Sequence, residues 1–334
     1  MDSKKKVKWG ILGCAAIAEK AFIPAIKKAR NTELVAIASR DINKARAWAD
    51  IYGLKKAFGS YEELLKDPEV EAVYNPLPNH LHHPWTIKAL KARKHVLCEK
   101  PLALTSAQVK EMFSEAEKNG CLLMEGFMYR FHPRLLRAKE LMDSGLIGEP
   151  RLIRASFNFF LDRQPDNYRW YPQYGGGALY DVGCYTINAA RLFFGAEPDE
   201  VLAKAHMDEK TGIDLTTSML CTFPDSRQAL LSYSFELEFE SSLEICGSNG
   251  RIILDRAFSA KHFETEIQVI RRNKTETIKF PPADQFQLMI EHFGEAIRGR
   301  AEPLLNFQDA YDNALVIEEV LNQISAKESP TLRK

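Results

Sequence analysis

Lys100 stands in the stretch Cys98-Glu99-Lys100-Pro101-Leu102, directly after the apolar run Val96-Leu97. An amine placed where a buried strand ends faces a ligand rather than bulk water, and the proline behind it fixes the turn. The competing reading is a solvated turn whose proline only stops the strand. A second stretch offers different chemistry. Gly10-Ile11-Leu12-Gly13-Cys14-Ala15-Ala16-Ile17-Ala18 puts Gly13, Ala15 and Ala18 at the three positions of a G-x-G-x-x-G pattern. In that pattern the backbone N–H groups of Gly13, Cys14, Ala15, Ala16 and Ile17 cradle the pyrophosphate of a dinucleotide. Alanine is tolerable at the third position and crowds the second by one methyl, so an ordinary strand-to-helix turn stays open as an alternative. Pro24 is expected to break the helix after about two turns. At the end of the next apolar run, 26 residues beyond Gly13, Ser39-Arg40 occupy the place where an acid would hold the ribose hydroxyls of NAD. A hydroxyl and a guanidinium suit a 2′-phosphate, which favours NADP over NAD. Asp41 either binds the ribose or, ahead of Ile42-Asn43-Lys44, caps a helix.

The elements that must position these groups alternate. Strands are expected over 8–12, 33–38, 72–75, 95–97 and 121–124, with helices over 42–51, 85–91 and 106–118 between them. Apolar strands separated by helical patterns predict a parallel sheet covered on both faces, a doubly wound Rossmann-like domain over residues 1–126. After Gly148-Glu149-Pro150 the texture becomes β-rich, with strands expected over 151–160, 201–207, 215–223, 228–235, 242–246, 251–254, 266–270 and 275–280. Several alternate polar and apolar, so residues 127–334 are expected to form an α/β domain on an open, mostly antiparallel sheet, closed by helices over 285–298 and 307–324. A long open sheet with an apolar outer face is covered most simply by a second copy, and a homodimer or a dimer of dimers is expected.

Composition excludes several classes. The 334 residues suit two cores better than one. Lys plus Arg and Asp plus Glu both number 45, a balance that gives no reason to expect a nucleic-acid partner. No apolar run approaches the ~20 residues of a membrane span, and the basic start is not followed by a leader-length apolar segment, so a cytoplasmic protein is expected. The six cysteines show neither a CxxC nor a Cys/His ligand spacing, which predicts reduced thiols and no metal site.

Four motifs then converge. Glu99-Lys100-Pro101, Pro78-Asn79-His80-Leu81-His82 before it, Met128-Tyr129-Arg130-Phe131-His132-Pro133 after the next strand, and Gly175-Gly176-Gly177-Ala178-Leu179-Tyr180-Asp181-Val182-Gly183-Cys184-Tyr185 resemble the Gfo/Idh/MocA oxidoreductase family in content and order over most of the chain. The sequence is most similar to the branch of dimeric dihydrodiol dehydrogenase and NADP-dependent xylose dehydrogenase. That branch carries tyrosine at the position of Tyr185, where inositol dehydrogenases carry histidine, which puts inositol oxidation in doubt. The resemblance implies hydride transfer between a nicotinamide and a secondary alcohol or hemiacetal carbon of a sugar or cyclic diol, in a cleft between the two domains.

It also implies roles. Tyrosine and lysine both titrate near 10, so each needs help to act as a base at pH 7. An ammonium beside a phenol stabilises phenolate, which makes Tyr185 the expected proton donor and acceptor and Lys100 its partner, bound to the reacting oxygen and in contact with the cofactor; the reverse assignment stays open. Asp181, four residues from Tyr185, is expected to orient it or to hold a substrate hydroxyl, and otherwise is a helix-start acid. Arg169 is a candidate substrate ligand or a surface arginine, and Arg130 a cofactor-side residue or half of an ion pair. Pro78, Asn79, His82 and Glu99 belong to the cofactor side, His82 and Trp85 mainly as framework of the loop. Two rival functions share the fold: an NAD-dependent glycosidase-type reaction, and a nucleotide-responsive regulator that need not keep Lys100 and Tyr185.

Overall fold

A computed structural model describes residues 6–260 and 263–325. The chain folds into two compact units: Met1–His132 with Ala283–Tyr311, and Pro133–Pro282 with Asp312–Lys334.

The first unit starts with β1 (Val7–Leu12), α1 (Ile23–Lys28), β2 (Thr32–Ala38), α2 (Ile42–Tyr52), β3 (Lys56–Phe58), α3 (Tyr61–Lys66), β4 (Ala72–Asn75), α4 (His82–Lys91), β5 (His95–Cys98), α5 (Ser106–Lys118) and β6 (Leu123–Glu125). The six strands pair in the order β3-β2-β1-β4-β5-β6, all in parallel. Every residue of β4 is buried, as helices on both faces of a parallel sheet require. Order and direction are those of the expected doubly wound fold. Two elements, β3 and α3, were not expected, because Lys56–Phe58 is too short to show a period and α3 spans only six residues. Nor does Pro24 break the helix as expected. Helix continues through it, because Ala18–Phe22 forms a wide turn in which the Ile23 N–H reaches back five residues to the Ala18 carbonyl. The wide turn moves the preceding carbonyls away from the pyrrolidine ring that follows. Phe22, carried by that turn, stacks on Tyr74 with ring centroids 3.8 Å apart and planes 4° apart.

The second unit holds α6 (Pro133–Asp143), β7 (Pro150–Asn158), α7 (Cys184–Phe194) and β8 to β14 (Glu200–Met207, Asp214–Phe223, Arg227–Ser234, Glu240–Gly247, Gly250–Leu254, Thr265–Arg271 and Lys274–Phe280). They form one eight-stranded sheet, β14-β13-β12-β11-β7-β10-β9-β8, antiparallel except for the β7–β10 pair. Alternation decides its faces: Ile153, Ala155 and Phe157 point into the core, while Arg154 and Ser156 point out. The outer face is more polar than the strand pattern led us to expect. Ser156 bonds Ser232 at 2.7 Å, Thr216 bonds Ser234 at 2.6 Å, and Glu244 lies between Arg154 and Arg251, each at 2.8 Å. Exposed Leu202 and Leu230 interrupt it.

Two helices complete the chain, α8 (Gln285–Ile297) and α9 (Phe307–Ser325). From sequence, residues 127–334 read as one domain, yet α8 packs with the first unit. Phe293 meets Trp9 edge-on at 5.8 Å, Asn31 donates to the Glu291 carbonyl at 2.8 Å, and Arg298 pairs with Glu71 at 3.0 Å. Among the described residues, no helix is long and apolar enough to cross a membrane, and no cluster of His, Cys, Asp and Glu is arranged to hold a metal.

Candidate active site

In the first unit, the loop after β1 and the end of β2 lie together. Gly13 has φ +94°, a conformation costly for a side chain, and a Cβ there would stand 2.9 Å from Leu77. Its N–H donates to the Ala38 carbonyl at 2.8 Å, tying the loop to β2. Of the expected cradle, Cys14 and Ala15 are half-buried and Ala16 and Ile17 exposed, while Ala18, at the third position, is fully buried where helix meets strand. The thiol of Cys14 contacts the Ser39 hydroxyl, and burial raises its pKa. Arg40 lies near the Tyr61 phenol; burial raises that phenol's pKa and the guanidinium works in the opposite direction. Tyr61 was not singled out from sequence, since it sits in the six-residue helix that the pattern failed to show. Asp41 resolves to the capping reading: its carboxylate accepts from the N–H groups of Asn43 and Lys44 at 2.9 and 3.4 Å. With the aspartate turned to α2, Ser39 and the exposed Arg40 remain at the end of β2, a set that fits the 2′-phosphate of NADP.

The Glu99-Lys100-Pro101 turn is fixed from several sides. The Glu99 N–H donates to the Asn75 carbonyl at 3.0 Å, and the buried Glu99 carboxylate accepts from the Tyr74 phenol at 2.5 Å. Beyond Lys100 the peptide to Pro101 is cis. Leu102 donates its N–H to the buried Glu125 carboxylate at 2.8 Å. His82, fully buried, places Nδ1 2.7 Å from the Pro101 carbonyl and Nε2 2.7 Å from the Leu77 carbonyl. Two acceptor carbonyls match the two N–H groups of an imidazolium, but burial, aided by the charge of Lys100, pushes the pKa down to about 4. At pH 7 the ring is neutral and donates to one carbonyl. His82 therefore joins the lysine turn to Leu77, the residue that walls Gly13. Asn79 is buried in the short helical turn after Pro78, and Trp85 packs edge-on against Tyr61 at 4.6 Å, consistent with a framework role. Arg130 is nine-tenths buried and ion-paired with Asp309 at 3.0 Å.

In the second unit, Arg169 and Asp181 meet. Nε and Nη2 of the arginine reach the two carboxylate oxygens at 2.7 and 3.1 Å, a bidentate pair that sequence spacing did not anticipate. Tyr185 follows on α7 with its ring 5.3 Å from Phe157 and 5.8 Å from Phe258. Phe157 and Phe258 thus form an apolar wall against the Tyr185 ring. The glycine run proves to approach protein atoms. A Cβ on Gly176 would lie 2.5 Å from the Arg169 carbonyl, and one on Gly177, at φ +107°, would collide with an Asp214 carboxylate oxygen. Asp214, also missed, accepts from the Leu179 N–H at 2.7 Å and so caps the helical start that leads to Asp181 and Tyr185. Burial holds its pKa up at about 6.

Comparison with known proteins agrees with this fold. Residues 7–127 match the model of the oxidoreductase family with an NAD-binding Rossmann fold, and residues 135–253 that of the GFO/IDH/MocA C-terminal domain. The chain belongs to the Gfo/Idh/MocA family of oxidoreductases, among relatives that include dihydrodiol dehydrogenases. It is 42% identical over 299 residues to an uncharacterized oxidoreductase of Rhizobium meliloti, covering 87% of this chain and 89% of that one. It is 36% identical over 313 residues to an NADP(+) D-xylose 1-dehydrogenase of Haloferax volcanii, covering 93% and 95%. The crystal structure of a 3-ketoreductase from Actinomadura kijaniata, in complex with NADP and TDP-benzene, superposes with a TM-score of 0.90 at 33% identity, covering 96% of this chain and 98% of that one.

Proposed function

We propose that this oxidoreductase is an NADP-dependent dehydrogenase or reductase of a secondary alcohol or hemiacetal carbon in a sugar or cyclic diol. One observation carries the reading: Asp41 is spent on the α2 cap while Ser39 and Arg40 stay at the end of β2, so no carboxylate at that position opposes a 2′-phosphate. Bound NADP supplies the hydride acceptor, and in its reduced form the donor. Gly13, Cys14, Ala15, Ala16 and Ile17 take the pyrophosphate, Ser39 and Arg40 the 2′-phosphate, and Pro78, Asn79, His82, Glu99 and Arg130 shape the remaining cofactor wall. Tyr185 removes the alcohol proton as hydride leaves carbon, or returns it in reduction. Lys100, set by its pinned turn, hydrogen-bonds the reacting oxygen and favours the phenolate. Asp181, oriented by Arg169, offers its outer lone pairs to a substrate hydroxyl. The relatives named above support a sugar-like substrate and NADP.

A second copy is the partner we assign to the outer face of the eight-stranded sheet: Leu202 and Leu230 lie exposed there beside charges of both signs, a self-complementary mixture. A cytoplasmic setting fits six free cysteines. Fluorescence titration of the cofactor-stripped protein with NADPH and NADH tests the cofactor assignment. NADPH is expected to bind far more tightly, and Arg40→Ala to weaken NADPH roughly 10-fold or more while sparing NADH. Equal losses for both would refute the role of Arg40, and binding of neither would refute the enzyme reading.

A further inference from the structure

Leu179–Gly183 forms a second wide helical turn, in which the Cys184 N–H reaches back five residues to the Leu179 carbonyl. The turn therefore holds one residue more than a turn of α-helix, a rare arrangement that recurs at functional sites. Here it carries Asp181 and ends two residues before Tyr185. The acceptors that it frees are answered locally. The Thr186 hydroxyl donates to the Gly183 carbonyl at 2.9 Å and the Cys184 thiol to the Asp181 carbonyl at 3.8 Å.

Both ends of the turn rest on the inner face of the sheet. At its start the Leu179 N–H donates to Asp214 of β9 at 2.7 Å. At its end Gly183 lies on Tyr233 of β10, fully buried, and a Cβ on this glycine would stand 2.8 Å from two carbons of the ring. Gly183 has φ −60° and ψ −37°, a conformation open to any residue, so it is the ring and not the backbone that demands glycine here. Tyr233 is the register partner of Phe157 on the neighbouring strand β7, and Phe157 is the ring 5.3 Å from that of Tyr185. Two adjacent rings thus carry the two halves of the segment, Tyr233 beneath the wide turn and Phe157 against the tyrosine that follows. In a regular α-helix residues four apart lie one above the other. An extra residue in the turn offsets Asp181 from that place, so the width of the turn decides what carboxylate and phenol can reach together. A close-packed interior transmits such a displacement instead of absorbing it.

We propose that Tyr233 is a positioning residue: its ring, lodged against Gly183, holds the wide turn open and so sets Asp181 against Tyr185 for the substrate hydroxyl and the proton transfer. This rests on the roles proposed for Asp181 and Tyr185 and adds the part that holds them in place.

The test joins crystal structures to steady-state kinetics for wild type, Tyr233→Phe, Tyr233→Leu, Gly183→Ala and the double variant Gly183→Ala/Tyr233→Leu. NADP⁺ reduction is followed with D-xylose, D-glucose and trans-cyclohexane-1,2-diol. Tyr233→Phe keeps the ring and should keep the wild-type rate. Tyr233→Leu removes the prop and Gly183→Ala pushes the turn off it. Each should lower kcat/KM roughly 10- to 100-fold with NADPH affinity unchanged in fluorescence titration. The structure of Tyr233→Leu should show the turn closed, with the Cys184 N–H on the Tyr180 carbonyl. In the double variant the new methyl group fills part of the space left by the ring, and kcat/KM should rise above both single variants, whereas losses from destabilisation alone would add. A Tyr233→Leu protein with the wide turn and kcat/KM unchanged would overturn the proposal. So would a Tyr233→Phe protein as impaired as Tyr233→Leu, which would move the role from the ring to the hydroxyl. If Tyr233→Leu does not fold, Gly183→Ala decides, and unchanged kcat/KM there would overturn the proposal equally. Failure of the wild type to oxidise any of the three alcohols would refute the proposed reaction instead. The structures alone would then judge Tyr233, a closed turn in Tyr233→Leu upholding its role as the prop and an open one refuting it.

Discussion

Asp214 offers a perturbation whose size can be worked out. Its side chain is withdrawn from water, caps the Leu179 N–H, and faces Gly177 so closely that a methyl group there would collide with it. Burial raises its pKa from 3.8 to about 6, against three backbone N–H groups and Thr217, which act the other way. A carboxyl whose folded pKa exceeds its unfolded one binds its proton more tightly in the native state. Its contribution is therefore fully present below about pH 4 and is lost as pH rises through about 6. A shift of roughly two units is worth roughly 3 kcal/mol. Asparagine matches the neutral acid in shape and keeps one acceptor, but does not titrate. Stability measured by urea unfolding should thus show the Asp214→Asn protein gaining on wild type by roughly 3 kcal/mol between pH 4 and pH 7, most of it between pH 4 and 6. A constant difference across that range would show that burial does not hold this carboxyl neutral. A difference that moved in the opposite direction would mean that the cap favours the carboxylate.

Lys100→Ala and Tyr185→Phe should each lower kcat by orders of magnitude with NADPH affinity nearly unchanged, as read by steady-state kinetics beside fluorescence titration; near-wild-type turnover in either would remove that residue from the reaction. Tyr74→Phe deletes the phenol that donates to buried Glu99 and should destabilise the protein by about 1.5–3 kcal/mol, with a fall in kcat as the Lys100 turn loosens; unchanged unfolding would show that bond to be dispensable. Asp181→Asn should raise KM for the sugar more than it lowers kcat, and a loss confined to kcat would assign the aspartate to the proton path.

Much of the fold was legible because its signals were periodic. Ser106–Lys118 begins after a capping Thr105 and carries apolar residues at helical spacing, and its bounds follow from sequence alone. The eight strands of the second sheet were each visible as β-rich runs, several of them with clear alternation. What escaped depends on contacts distant in the chain. Nothing near Tyr74 shows that its hydroxyl meets Glu99, because that bond follows from β4 lying beside β5. Nothing in Gly175-Gly176-Gly177 reveals Asp214, which arrives from another strand to fill the space that missing side chains leave. The Arg169–Asp181 pair likewise requires the path of the loop between them. Pro24 misled because a wide helical turn leaves no compositional trace.

The packing of Ala283–Tyr311 against the first unit bears on how the chain is made. Trp9 and Phe22 leave the ribosome well before Phe293, which meets Trp9 in the core and emerges some 280 residues after it. Until then the nascent Rossmann layer lacks one of its covering helices, and the whole of Pro133–Pro282 is synthesised in the interval. The later sheet is thus free to mature before the earlier one is sealed, an inversion of the usual N-terminal-first order of co-translational folding. A fragment ending near residue 132 would display an apolar scar where α8 belongs, so the nucleotide-binding half is not a module that can be cut out and used by itself.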